Sequence, residues 1–196
     1  MFANRFTALV DACALVSALG RNTILSLAEA ELFRVRWSAE ILMETERALT
    51  KIFAAHEHDA PAVLAARQVS VIRRAFPEAL VDEYSGLEPE AGTLPDAGDA
   101  HVIAAALQCR ASVLVTENIR HFPTSVLGPM AIEVKTSDDF IADAIDLDPL
   151  RAVNAIAEMR ARFNNPQLSS AALILRYESQ GFIQIADLLR PYATRF

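Results

Sequence analysis

A helix that runs directly into a short apolar strand, between Leu94 and Pro123, limits the fold more than any other part of the chain. Asp96 is placed to cap this helix, with Asp99 at its third position in the manner of a capping box. Val113–Val115 then form a run typical of a strand buried on both faces. Such a pair is half of a parallel α/β repeat, which binds ligands at the carboxyl ends of its strands. Asp99 leans towards the buried side of the helix, so it is either a site residue or only a cap.

Short apolar strands alternate with helices over most of the chain. Phe6 to Val10 predict a first buried strand with Asp11 at its carboxyl end, and we expect the next helix to begin at Asn22 or Thr23. Caps, prolines and apolar periodicity predict extended segments at 33–36, 79–81 and 130–134, and helices at 38–55, 61–76, 97–110 and 137–145, the last capped by Ser137. This alternation predicts a three-layer α/β domain with about four parallel strands or more.

The pattern changes near residue 147, after which only helices are predicted. The breaks fall at Asn164–Pro166, before Ser169 or Ser170, and at Gly181, a residue typical of the position after a helix. We therefore divide the chain into an α/β domain, 1–146, and a helical C-terminal extension, 147–196.

Composition and charge exclude several classes of protein. The 196 residues are 53% hydrophobic and 22% charged, as in globular chains, and two cysteines make neither a disulfide framework nor a zinc site. No apolar run is long enough to span a membrane and the N-terminus has no secretory pattern, so we expect a cytoplasmic protein. The net charge of −7 argues against a broad basic surface for nucleic acids. It leaves open a nucleic-acid enzyme whose carboxylates bind a metal ion.

Familiar catalytic motifs are absent from the sequence. There is no G-x-G-x-x-G, no P-loop and no G-x-S-x-G elbow. His56 and His58 lie among charged residues, and we expect them in a solvated loop. His101 and His121 each lie near an acidic candidate and could contact a substrate, although a surface role is the simpler expectation.

The remaining candidates are acidic and amide side chains near strand ends. Asp11 ends the first strand, Asp99 opens the helix before Val113–Val115, and Asn118 follows that strand. If the strands are parallel neighbours, these three residues meet at one edge of the sheet. Oxygen ligands without cysteine or histidine suit Mg²⁺ or Mn²⁺, ions that activate water for phosphodiester cleavage. The alternative is that Asp11 is only a turn residue. On the helix after Ser38, Glu44 and Glu46 flank opposite edges of the apolar stripe, and helical geometry does not choose between them.

Three segments resemble the PIN-domain family, particularly bacterial toxin components of toxin–antitoxin pairs. They are LVDACALVSAL (9–19), RWSAEILMETERAL (36–49) and LPDAGDAHVIAAALQCRASVLVTENIRHFP (94–123). The resemblance covers roughly 1–145, and the helical C-terminus resembles the extension of one PIN subgroup. It implies a Rossmann-like fold and a Mg²⁺- or Mn²⁺-dependent endoribonuclease. The acids Asp11, Glu44 and Asp99 match the family's three metal-binding catalytic acids, and Asn118 stands where many members have a fourth.

Two departures from the family pattern concern activity. Many members read Asp-Thr-Asn in the first motif, whereas Ala12 and Cys13 follow Asp11 here, so a polar neighbour that could orient metal or water is absent. Asn118 in place of an acid reduces the formal ligand charge from −4 to −3. Glu117 could compensate, but strand alternation directs it away from Asn118 unless the loop turns.

The resemblance also bears on partners. It implies an RNA substrate and a homodimer, and a toxin role implies a small antitoxin protein that binds the acidic site. Single-stranded RNA is expected, because no element is suited to a duplex groove. Phosphates could be guided by Arg34, Arg36, Arg120 and His121, or these could be plain surface residues. The alternative function is a non-catalytic PIN-fold module that binds RNA or a protein partner.

Overall fold

The computed structural model of the protein describes residues 6–88, 93–163 and 167–195. The strands of this described part are β1 (Thr7–Val10), β2 (Arg34–Ser38), β3 (Leu80–Val81), β4 (Val113–Val115) and β5 (Glu133–Lys135). They form one parallel sheet in the order β3-β2-β1-β4-β5. Because β1 is central and β4 lies beside it, the residues that follow these two strands emerge together at one edge of the sheet.

Helices alternate with the strands of the sheet and make up the C-terminal part of the chain. The described α-helices are α1 (Ala12–Val16), α2 (Ala18–Glu29), α3 (Ala39–Ala55), α4 (Pro61–Ala75), α5 (Ala100–Gln108), α6 (Thr124–Leu127), α7 (Ser137–Leu147), α8 (Pro149–Ala161), α9 (Ser170–Ser179) and α10 (Ile183–Leu189). Short 3-10 turns connect several of them. This is the α/β architecture with C-terminal helices that the sequence predicts.

Several predicted elements are confirmed where the local signals are strong. β4 has the predicted bounds and is fully buried. Ser38 caps α3 through a hydrogen bond from the amide of Ile41 to its Oγ, at 3.1 Å. Pro61 is the first residue of α4, where its lack of an N–H costs nothing. Gly181, with φ of +85°, follows α9 in the left-handed conformation that glycine adopts easily.

The start of the helix after β1 was predicted too late. α1 begins at Ala12, directly after Asp11, and α2 begins at Ala18 with Ser17 as its cap. Thr23 lies inside α2, where its hydroxyl donates to the carbonyl of Leu19 at 2.8 Å. Each helix begins after a polar residue whose side-chain oxygen accepts an N-terminal N–H, so the small apolar segment 12–19 holds α1 and the start of α2, divided at Ser17.

Two helix caps also differ from the prediction. Thr136, and not Ser137, caps α7 by accepting the amide of Asp139 at 3.1 Å. Asp96 caps a 3-10 turn at Ala97–Asp99 through the amide of Gly98, and α5 begins only at Ala100. No capping box forms, because Asp99 makes no side-chain hydrogen bond to the helix end. Asp99 occupies the cap position of α5 without a capping hydrogen bond, and its side chain bonds His121 instead.

The C-terminal helices pack against the α/β domain through buried polar as well as apolar contacts. The hydroxyls of Thr23 on α2 and Tyr177 on α9 lie 2.6 Å apart, and both residues are fully buried. Asp138 on α7 accepts the amides of Gln184 and Ile185 at the start of α10, at 3.0 and 3.1 Å. The predicted break at Asn164–Pro166 lies outside the described residues. Among the described helices, none has the length and apolar character needed to cross a bilayer.

Candidate active site

Asp11 is buried at the carboxyl end of β1, with 6% of its surface exposed. Its amide donates to the carbonyl of Val115 at 2.9 Å, which continues the pairing of β1 with β4. Its Oδ1 accepts the amide of Ala12 at 2.6 Å and so caps α1. The turn role considered for Asp11 is therefore real, and it leaves lone pairs of the carboxylate available to a ligand.

Two side chains hold the other oxygen of Asp11. The hydroxyl of Thr116, at the end of β4, donates to Oδ2 at 2.7 Å, and Sγ of Cys13 lies 3.1 Å from the same atom. Sγ also accepts the amide of Glu117 at 3.1 Å. Burial first, and then the negative charge of Asp11, raise the pKa of Cys13 to about 12, so the thiol stays neutral and can donate. Cys13 and Thr116 thus fix the carboxylate of Asp11 through hydrogen bonds to its Oδ2.

Glu44 reaches the site from the middle of α3. Nε2 of His101 on α5 lies 3.2 Å from Oε1 of Glu44, while Nδ1 lies 3.4 Å from Oε2 of Glu40 without forming a hydrogen bond. Burial raises the pKa of Glu44, His101 opposes this effect, and the negative charges of Asp11 and Asp99 add to it. Glu44 is therefore an α3 acid within electrostatic reach of Asp11 and Asp99, and Glu46, two residues further along, projects from a different side of the helix.

Asp99 lies at the junction of the 3-10 turn and α5. Its Oδ2 is 2.8 Å from Nδ1 of His121, which belongs to the turn after β4. Burial raises the pKa of Asp99, His121 opposes this, and the charges of Asp96 and Asp11 raise it further. Potential ligand atoms of Asp96, Asp99 and His121 lie within 4.8 Å of one another, so this corner could contribute donors to a metal ion.

Asp11 after β1, Glu44 on α3 and Asp99 before α5 thus lie within electrostatic range of one another. Among the described residues, the group whose ligand atoms lie within 4.8 Å of one another is Asp96, Asp99 and His121. Burial is the main reason that the pKa values of Glu44 and Asp99 are raised, and the negative charge of Asp11 adds to both. Clustered carboxylates of this kind repel one another in the absence of a cation. An oxygen-rich set with this charge fits the coordination preferences of Mg²⁺ or Mn²⁺.

The other candidates are placed differently. Asn118 is exposed, and its amide donates to the Thr116 hydroxyl at 3.1 Å. Glu117 is directed away, because its Oε1 accepts the amide of Ser137 at 3.2 Å. Arg34 lies at the amino end of β2, at the opposite edge of the sheet from Asp11, beside a cavity of about 680 Å³. Sequence reasoning gave no role to Thr116, and no local signal indicates that its hydroxyl contacts Asp11.

Comparison with known proteins decides the family. A sequence model described as "PIN domain" matches residues 7–120, more than half of the chain. The chain belongs to the PIN-domain family. A second model, described as "VapC50 C-terminal domain", matches residues 137–191, which include α7 to α10.

One relative of this PIN-domain protein comes from Mycobacterium tuberculosis (strain ATCC 25618 / H37Rv) and is named "Putative ribonuclease VapC50". The two are 49% identical over 49 residues, which cover 25% of this chain and 29% of the relative. No solved structure matches the chain.

Proposed function

We propose that this PIN-domain protein is a metal-dependent endoribonuclease that hydrolyses phosphodiester bonds of single-stranded RNA. The observation that supports it most is the convergence of three carboxylates, from separate elements, at the carboxyl edge of the sheet. Burial raises the pKa of Glu44 and of Asp99, and the charges of the neighbouring acids raise both further. Carboxylate clusters of this kind are suited to divalent cations.

In this proposal Asp11, Glu44 and Asp99 hold Mg²⁺ or Mn²⁺. A bound divalent ion supplies charge neutralisation and lowers the pKa of a water molecule. Asp11 is kept in place by Ala12, Cys13 and Thr116, so it presents its free lone pairs in a fixed direction. His101 orients Glu44, and His121 orients Asp99, each through one ring nitrogen.

Asn118 has a different part in the proposal. It is exposed beside Asp11 and Thr116, and its main chain is held by the Thr116 hydroxyl. A neutral amide there can orient a water molecule or an RNA phosphate oxygen without adding to the repulsion among the three acids.

Partners are proposed from the family and from the named relative. The similarity to a protein named as a VapC50 ribonuclease supports a toxin role with an antitoxin protein as partner. We also propose a homodimer that acts in the cytoplasm, and the division into a nuclease domain, 1–146, and an extension, 147–196. The second family model begins at Ser137, so α7 forms the transition between these parts.

Charge-removing variants test the nuclease proposal. Asp11→Asn, Glu44→Gln and Asp99→Asn are each expected to lower the rate of cleavage of a mixed single-stranded RNA by about a hundredfold or more. Glu46→Gln is the matched control, because it removes a carboxylate from the same helix outside the cluster, and it should cleave at the native rate. Full activity of the Asp11 and Asp99 variants would contradict the proposal.

The second candidate function is a PIN-fold module that binds RNA or a protein partner without catalysis. It is favoured by the neutral, exposed Asn118 at the position where many members carry an acid. A gel-shift assay in EDTA separates the two functions. RNA binding without cleavage, unaffected by the chelator and by added Mn²⁺, would favour the module. Growth arrest on expression without a partner would favour the toxin.

A further inference from the structure

Glu117 connects the candidate site to the C-terminal helices by hydrogen bonds in two directions. Its main-chain amide donates to Sγ of Cys13 at 3.1 Å, while its side-chain Oε1 accepts the amide of Ser137 at 3.2 Å. Cys13 lies just after β1, and Ser137 is the first residue of α7.

The main-chain amide of Glu117 bonds Cys13, one of the residues that hold Asp11. Sγ of Cys13 lies 3.1 Å both from Oδ2 of Asp11 and from Oγ1 of Thr116. The Thr116 hydroxyl donates to Asp11 and accepts the amide of Asn118. Movement of residues 116–118 would therefore displace the Thr116 hydroxyl and remove the amide of Glu117 from Sγ of Cys13.

The side-chain carboxylate of Glu117 bonds a buried residue at the start of α7. Ser137 is the first residue of α7 and is 1% exposed, and a negative charge at a helix N-terminus is favoured by the free N–H groups there. The strand end is held to the same segment by the amide of Thr116, which donates to the carbonyl of Lys135 at 2.9 Å. The next residue, Asp138, binds the start of α10. α7 thus contacts the candidate site and the last helix at once.

We propose that Glu117 is a positioning residue, which fixes the Thr116–Cys13 support of Asp11 to the C-terminal helices. This inference rests on the proposed function for its effect on catalysis, whereas its structural part does not. It also gives the acid beside Asn118 a role other than metal ligand. The extension is connected to the nuclease site indirectly, through α7, which bonds Glu117 at Ser137 and the start of α10 at Asp138.

Amide hydrogen exchange in metal-free protein tests the connection itself. Glu117→Ala removes the acceptor for Ser137, so exchange at residues 117, 118 and 137 is expected to become roughly tenfold faster. Glu117→Gln keeps a carbonyl acceptor and should restore most of the protection. Glu158→Ala, a change at an exposed glutamate on α8, is the control and should alter none of these amides. Unchanged exchange in Glu117→Ala would overturn the proposal.

Two further readouts separate positioning from plain stability. The carboxyl ¹³C resonance of Asp11, assigned with Asp11→Asn, should shift in Glu117→Ala and return in Glu117→Gln, while Leu114 in β4 stays protected from exchange. In RNA cleavage, kcat should fall by about tenfold with KM unchanged. An unmoved Asp11 resonance, or an unchanged kcat in an active protein, would contradict the positioning role. If the native chain does not cleave RNA, the nuclease proposal fails, and the exchange and resonance results still decide the role of Glu117.

Discussion

The hydroxyl of Thr116 donates a 2.7 Å hydrogen bond to Oδ2 of Asp11, and so joins the carboxyl ends of two neighbouring strands. Both residues are buried: Thr116 has no exposed surface, and Asp11 exposes 6% of its surface. A hydrogen bond to a buried charged group contributes more to stability than one between neutral groups. This contact is therefore expected to matter for both the fold and the candidate site.

Thr116→Val replaces the hydroxyl with a methyl group of similar size. It leaves an acceptor of Asp11 unpaired, so the free energy of unfolding should fall by about 1–3 kcal/mol. RNA cleavage should fall with it, because Asp11 loses a fixed orientation. Urea unfolding and cleavage assays measure the two effects. Thr116→Ser is the control and should retain both properties, and a Val variant with native stability would show that the contact is unimportant.

Without divalent ions, the clustered acids should make the protein less stable as the pH rises. Folding raises the pKa of Glu44 and of Asp99, so the folded chain binds protons more tightly than the unfolded chain. Proton binding to Glu44 and Asp99 therefore contributes to the free energy of unfolding. This contribution is complete below the ordinary carboxyl pKa of about 4 and is lost as the pH rises through the raised pKa values of the folded chain.

Asp99→Asn removes one charge from this cluster. In EDTA at pH 7, its midpoint of thermal unfolding is expected to lie above that of the native protein. The increase should be about 2–4 °C for each kcal/mol gained in the free energy of unfolding. The difference between the two unfolding midpoints should shrink towards pH 4 and change sign when Mn²⁺ is added. Thermal melts across this pH range measure it, and Asp146→Asn, an exposed change on α7, is the control. A variant that melts below the native protein in EDTA would argue against charge repulsion.

Cys13 should react slowly with alkylating agents although it lies beside a candidate site. With a pKa of about 12, only about 1 thiol in 10,000 is ionised at pH 8, and the thiolate is the reactive form. Mass spectrometry after iodoacetamide treatment should show little modification of Cys13 in the folded protein and rapid modification in urea. Fast labelling of the folded chain would contradict the hydrogen-bonded, neutral thiol.

The contact between Thr23 and Tyr177 is expected to stabilise the packing of the C-terminal helices without affecting the site. Tyr177→Phe keeps the ring and removes the hydroxyl, while Thr23 still donates to Leu19. The free energy of unfolding should fall by about 1 kcal/mol, and RNA cleavage should stay native. Chemical unfolding measures the first effect. A loss of cleavage in a folded Tyr177→Phe protein would show that this interface reaches the site.

Elements with strong local signals could be predicted from the sequence, and contacts between distant residues could not. β4 follows from an unbroken apolar run, and the start of α3 follows from Ser38 as a cap. α1 was missed because Asp11 is both its cap and a site candidate, and a pattern of small apolar residues does not mark a helix start. Helical periodicity could not separate Glu44 from Glu46, since that choice depends on where His101, 57 residues away, is placed by the fold.

The candidate site shows the same division. Parallel-strand topology was sufficient to predict that Asp11, Asp99 and Asn118 approach one edge of the sheet. The pairing of Asp99 with His121, 22 residues later, depends on the path of the loop after β4. The direction of Glu117 towards α7 agrees with strand alternation, but its partner Ser137 could be identified only from the fold.

Calorimetric titration of Mn²⁺ tests the central claim, that Asp11, Glu44 and Asp99 form one metal-binding site. The native chain is compared with Glu44→Gln and with Glu46→Gln, which remove the same charge from two positions of α3. We predict binding by the native and Glu46→Gln proteins, and affinity at least about tenfold weaker in Glu44→Gln. Equal affinity of all three proteins, or no binding by the native chain, would contradict it.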